Sequence, residues 1–239
     1  MRTFGIERDS RILEIIVSGK PFPLTKLNGD EFLSAWWQAV VCHYTLWKHD
    51  IHHRDVNPGN LRVHRSDGRW IGVLNDHDLS STQRNRPTGN EHIKAVPFVA
   101  IDLLEVAAIE GNVSHLYQHD AESFVWVLVW VCLRYRDGKL LRVKEGRLLD
   151  EWLTVDAEEC YDLKSGFIRM FRKEDDLDLK IRPSSSHKST NWKLAVKCLH
   201  TLYYSSRASV PDDKSAFEKL LLVNMKCVAP RILHPVEVS

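Results

Sequence analysis

Residues 53–60 read His53-Arg54-Asp55-Val56-Asn57-Pro58-Gly59-Asn60, and Asp76 follows within Leu74-Asn75-Asp76-His77-Asp78. The first stretch fits the H-R-D-x-x-x-x-N pattern of a phosphoryl-transfer loop, and Asp76 stands where such sites place a metal-binding Asp. The residue types suit that chemistry. A carboxylate within about 3 Å of an acceptor hydroxyl can take its proton. Mg²⁺ takes oxygen ligands from one or two side chains and keeps several waters. One Asp and one neutral Asn carbonyl therefore leave the ion electrophilic. Asp55 and Asn60 share one short loop, so a single rigid segment sets both base and ligand. Pro58 stiffens that loop, and Gly59 permits a tight turn ahead of Asn60.

Such groups act together only if packed elements aim them. Arg11 to Val17 reads as a buried strand of β-branched residues, and Ser18-Gly19-Lys20-Pro21-Phe22-Pro23 as the loop that breaks it. The spacing of Phe32, Leu33, Trp36, Trp37, Val40, Val41, Tyr44, Leu46 and Trp47 predicts a helix with Asp30 as N-cap. It ends near Lys48-His49-Asp50 and delivers the chain into the His53 loop. Leu61 to Val63 and Trp70 to Leu74 flank the turn signal Ser66-Asp67-Gly68 and read as a hairpin between the two motif segments. Ser80 to Ala95 reads as a long exposed loop, and Val99 to Ala108 as a short helix. Ala121 to Arg136 is a helix apolar nearly all round, which belongs in the middle of the core. Lys173 to Asp176 reads as a solvated charged face, Pro183 to Thr190 as a Ser-rich surface loop. Helical patterns recur over Trp192 to Tyr204 and Ser215 to Cys227. Trp36, Trp37, Trp126 and Trp130 are assigned to the core.

The bulk numbers are those of an ordinary globular chain: 239 residues, 44% hydrophobic, 27% charged, formal net charge +1. That charge gives no reason to expect nucleic acid or a polybasic membrane contact. Five scattered Cys without a C-x-x-C fit free thiols in a reducing compartment. The N-terminus lacks the apolar run of a signal peptide. Phe124 to Leu133 is too short to span a bilayer, which takes about 20 residues. A cytoplasmic or nuclear location, with no membrane partner, is the expectation.

Four ordered stretches resemble successive motifs of the fungal-type protein kinase family, a divergent branch of the protein-kinase-like fold. They are His53 to Leu61, Gly72 to Leu79, Val96 to Leu104 and His119 to Leu128. The lead-in Ala35 to Gln38 and Cys42 to Lys48 is also similar. The resemblance implies an α+β protein-kinase-like fold, mostly the α-helical C-terminal lobe with a small β remnant of the N-lobe. Residues 1–23 would be N-lobe remnant and hinge, and 24–239 the C-lobe. It implies an ATP- and Mg²⁺-dependent phosphoryl transferase with a protein substrate and a Ser/Thr acceptor. Asp55 would accept or orient the acceptor proton, and Asn60 and Asp76 would hold metal on the nucleotide phosphates. His53 and Arg54 would be scaffold residues, Arg54 contacting the activation segment. Asp102 would stand where that segment's closing acid stands, and Asp120 would brace the catalytic-loop backbone.

Asn57 replaces the Lys usual in Ser/Thr protein kinases, so it cannot neutralise the transferred phosphate. Asp78 replaces the Gly of D-F-G and serves either as a further metal-facing carboxylate or as a turn residue. His92-Ile93-Lys94-Ala95 replaces the Thr-Gly-Thr often found before Pro-Phe. No Gly-rich phosphate loop or phosphate-gripping Lys precedes His53, and Lys20 and Lys26 fall after the first strand. The expectation is an N-terminally truncated form with weak nucleotide binding and impaired activity. Two alternatives stand beside it. One is an inactive pseudokinase that acts as a binding module. The other is a His-Asp metal phosphohydrolase built on His49-Asp50 and His119-Asp120, among 12 His.

Overall fold

The computed structural model describes residues 21–76, 96–173, 181–205 and 212–228. The strand expected over Arg11 to Val17, the loop over Ser80 to Ala95, and Asp78 lie outside these residues. The described chain opens with a short strand β1 (Phe22–Pro23) where a loop was expected. Phe22 pairs with Val63 and Pro23 with Arg62. An edge position suits Pro, whose nitrogen has no hydrogen to donate.

Helix α1 (Gly29–Trp47) follows, with Asn28 rather than Asp30 at its N-cap; Asp30 falls in the first turn, where a negative charge favours the helix dipole. Its apolar stripe is buried from Phe32 to Trp47. The hairpin β2 (Leu61–Ser66) and β3 (Arg69–Leu74) pairs Leu61 with Leu74 and Ser66 with Arg69. Asp67 and Gly68 both take positive φ, the turn that matches right-handed strand twist. The ribbon lies close on α1: a Cβ at Gly72 would fall 1.9 Å from the Ala35 carbonyl oxygen. Gln38 of α1 locks the contact, its Oε1 accepting from Gly72 N–H (3.0 Å).

A 3-10 turn at Ile101–Leu103 and the one-turn helix α2 (Val106–Ile109) replace the single short helix expected over Val99 to Ala108. Helix α3 (Tyr117–Arg134) then runs through the centre, buried on all sides from Ala121 to Leu133 apart from the partly exposed Glu122. The Trp36 indole N–H donates to the Phe124 carbonyl (3.1 Å) and its ring meets Phe124 edge-on, joining α1 to α3. A two-residue ribbon, β4 (Tyr135–Arg136) and β5 (Lys139–Leu140), follows.

Helix α4 (Ala157–Arg169) was not foreseen; Asp156 caps it by accepting from Glu159 N–H. Its buried stripe is Cys160, Lys164, Phe167 and Ile168, and the Lys breaks the apolar spacing that would have revealed it. The Ser-rich stretch is no surface loop throughout, because Ser184 and His187 are buried and Ser184 N–H donates to Cys132 O (2.9 Å). Helix α5 (Thr190–Ser205) and α6 (Asp213–Phe217), a π-turn (Glu218–Leu222) and α7 (Val223–Val228) complete the lobe. Phe217 stacks on Tyr44 with ring centroids 4.0 Å apart, which closes the last helices onto α1. No helix among the described residues is long and apolar enough to cross a membrane.

Candidate active site

The loop between α1 and β2 carries the motif, and hydrogen bonds within it fix Asp55. Asn57 Nδ2 donates to Asp55 Oδ1 at 2.8 Å, and Asn60 Nδ2 donates to Asp55 Oδ2 at 2.9 Å. The exposed carboxylate is thus held at both oxygens, one by each amide. Asn57 Oδ1 faces the other way and accepts from Gly59 N–H at 2.7 Å. The backbone turns here because Asn60 N–H donates to Asn57 O (3.1 Å). Gly59 does not sit at positive φ. A Cβ there would lie 2.8 Å from Asn57 Oδ1, so the missing side chain makes room for the amide that orients Asp55.

The hairpin brings Asn60 opposite Asn75, the residue before Asp76. Asn75 N–H donates to Asn60 O at 2.8 Å, which extends the ladder past Leu61 and Leu74. His53 ties the same two segments from below. Its Nε2–H donates to Asn75 O (2.6 Å), and its Nδ1 accepts from Asp55 N–H (3.2 Å). Arg54 and Asp76 adopt left-handed backbone, φ 64 and φ 59. Such conformations cost energy in non-Gly residues and persist only where surrounding contacts over-determine them.

For Arg54 the over-determining contact is Asp120, near the N-terminus of α3 and 1% exposed. Asp120 Oδ2 accepts from Arg54 N–H (3.2 Å) and from His43 Nε2 (2.8 Å), and Oδ1 accepts from His115 Nε2 (2.7 Å). Burial alone would raise its pKa. The hydrogen bonds from His115 and His43 outweigh that and hold the carboxyl well below the usual carboxylate range. His119 turns back on the helix end, its Nδ1 accepting from Leu116 N–H (3.0 Å). Burial, with the nearby His115 charge, lowers its pKa to about 4. At His119-Asp120, one of the two pairs of the His-Asp metal reading, the oxygens of Asp120 are taken by hydrogen bonds and His119 Nδ1 is a cap. Among the described residues no three His, Cys, Asp or Glu gather where they could hold a metal.

An Asn–Asp pair suits a hard divalent cation through oxygen donors alone. Asn60 spends its amide hydrogens on the Asp55 backbone and side-chain oxygens (2.9 Å each), so no described donor engages its Oδ1. The donor types present, one amide oxygen and one carboxylate, are those that Mg²⁺ takes.

Beside Asp55 opens a small, half-open cleft lined by Arg54, Val56, Phe98, Val99, Ala100 and Leu103, with His115 and Ser123. The Arg54 guanidinium lies 3.3 Å from His52 Nδ1, at the loop rather than on a described residue of 96–104. Asp102 is partly buried, and burial followed by the Glu105 charge raises its pKa; no ion pair among the described residues engages it. Two groups given no role in the sequence reading hold this wall. Lys164 Nζ donates to Val99 O, and Ile101 N–H donates to Glu122 Oε1 (2.8 Å). A lone Lys on the buried stripe of α4 and a lone Glu on apolar α3 were their signals. His43 and His115 carried no comparable signal.

A loop with an exposed Asp, its backbone tied to a helix-borne Asp, and a hairpin leading on to a second Asp are consistent with a protein-kinase-like fold. The sequence profile of the family described as fungal protein kinase matches residues 7–132, more than half of the chain, and the chain belongs to that family. No curated protein and no solved structure matches it. Its function is kinase-like, a class that implies ATP, Mg²⁺ and a protein substrate in general terms.

Proposed function

We propose that the chain transfers the γ-phosphoryl group of ATP to Ser or Thr hydroxyls, with Asp55 as the residue that takes the acceptor proton. The observation that carries this reading is the clamp on Asp55, one amide on each carboxylate oxygen, with Asn60 of that clamp hydrogen-bonded to Asn75 beside Asp76. Asp55 orients the acceptor oxygen toward the γ-phosphorus. The new O–P bond forms as the bond to the β–γ bridging oxygen breaks. The hydroxyl proton passes to Asp55, and ADP leaves with the electron pair. Asn60 Oδ1 and the Asp76 carboxylate would hold Mg²⁺, whose chemistry when bound is to neutralise charge on the phosphates. Asn57 brings no charge; its part is to hold Asp55 on line. Asp120, His43 and His115 fix the backbone from which Asp55 projects.

The test is transfer of labelled γ-phosphate to a mixed Ser/Thr peptide, run with the full chain and with Asp55→Ala. Losing a positioned base lowers transfer about 10²- to 10⁴-fold. Equal transfer by both proteins would remove Asp55 from the mechanism. Stabilisation by Mg·ATP without any transfer would reassign the chain as a nucleotide-binding pseudokinase.

A further inference from the structure

We infer that Lys164 and Glu122 are positioning residues for the acceptor, because together they set the wall of the cleft that faces Asp55. The kinetic half of this inference rests on the phosphotransfer reading above; the structural half does not.

Ala100 lines that wall, and the peptide groups on either side of it are gripped by side chains from two different helices. On one side the Lys164 ammonium of α4 donates to Val99 O. On the other the Glu122 carboxylate of α3 accepts from Ile101 N–H. Trp126 lies between the two grips. Its indole N–H donates to the same Glu122 Oε1 (2.8 Å), and Lys164 Nζ sits 4.7 Å from its ring centroid and 5.8 Å from that of Trp152. The wall's own turn, Leu103 N–H to Ala100 O (3.0 Å), starts from this held point.

Packing alone does not account for Lys164. It is fully buried on a stripe whose other members are Cys160, Phe167 and Ile168, where a Met or Leu would fill the volume without desolvating a charge. Burial lowers its pKa to about 8, against the opposing influence of Cys160 and Glu122, while Glu122 is raised by burial and by Asp102. A buried cation that costs stability and binds a backbone carbonyl fixes a position. The position matters because reacting atoms must meet within about 3–3.5 Å, and a 1 Å misplacement can cost about 10²-fold in rate.

The test compares Lys164→Met, Glu122→Leu and Glu122→Gln with the parent chain by amide hydrogen exchange at one pH. Gln keeps an oxygen for Ile101 and Trp126, so Glu122→Gln is the conservative control. The expected result is tenfold or faster exchange over residues 99–104 for the Met and Leu variants, near-parent exchange for Gln, and little change in α1 and α3. In transfer assays the same two variants raise the acceptor KM about tenfold and leave the Mg·ATP KM unchanged. Unchanged exchange at 99–104, or an acceleration shared equally with α1 and α3, overturns the inference. If Lys164→Met does not fold, the Leu and Gln pair at the partly exposed position 122 decides it alone. A parent chain that transfers no phosphoryl group refutes the kinase chemistry, while the exchange data still decide the wall.

Discussion

Asp120→Ala tests the platform under the candidate base. The substitution removes the acceptor of three donors at once: His43 Nε2, His115 Nε2 and Arg54 N–H. His43 suffers most, because its other nitrogen, Nδ1, is buried with no hydrogen-bond partner among the described residues. His115 is 19% exposed and can turn to water. Each hydrogen bond to a buried carboxylate contributes about 1.5–3 kcal/mol, and an orphaned buried donor costs about 1–3 kcal/mol. A net loss of about 4 kcal/mol is expected, which for a chain of this size lowers Tm by about 8–16 °C. Asp120→Asn retains one oxygen and should lose about half as much. The sign with pH follows from the depressed carboxyl. Its contribution is present above the unfolded pKa of about 3.9 and is lost as pH falls toward the lower folded value. Asp120 thus stabilises across the neutral range, and the deficit of the Ala variant should appear at pH 7. Thermal melts followed by circular dichroism, with hydrogen exchange at Arg54, measure both effects. A Tm for Asp120→Ala within 2 °C of the parent, with Arg54 exchange unchanged, would refute the claim that this carboxylate holds the loop.

Three further outcomes are expected. His119 and His187 are buried and their pKa values are lowered to about 4, by burial first in both cases. Between about pH 6.5 and pH 4 the unfolded chain binds protons that the folded chain refuses, so stability falls as pH falls, by up to about 3 kcal/mol for each His. Melts across that window check it, and a flat profile would count against it. Gly72→Ala forces a methyl into the Ala35 carbonyl and should cost about 3 kcal/mol by parting the hairpin from α1, read as a lower urea midpoint. Gly59→Ala displaces Asn57 Oδ1 and frees Asp55; stability should change by less than about 1 kcal/mol, while transfer falls about tenfold, which steady-state kinetics would resolve.

The elements nearest the site were legible because their signals are local. Apolar spacing gave α1 and α3, and the Asp67-Gly68 turn gave the hairpin that joins the two motif segments. The ordered motifs led to the family, which the profile match over residues 7–132 shows. Elements that break local rules were missed. Helix α4 carries a Lys in its apolar stripe, and the Ser-rich stretch is buried through Ser184 and His187.

By itself the sequence determined which groups are present and how far apart they lie along the chain, since residue type and periodicity are properties of neighbours. Tertiary structure alone decided what holds them. His43 and Asp120 come from separate stretches, as do Lys164, Glu122 and the wall they grip, and each polar member is buried or half-buried. A hydrogen bond between residues far apart in sequence leaves no periodic trace. It forms only when packing has excluded water and made the partner obligatory.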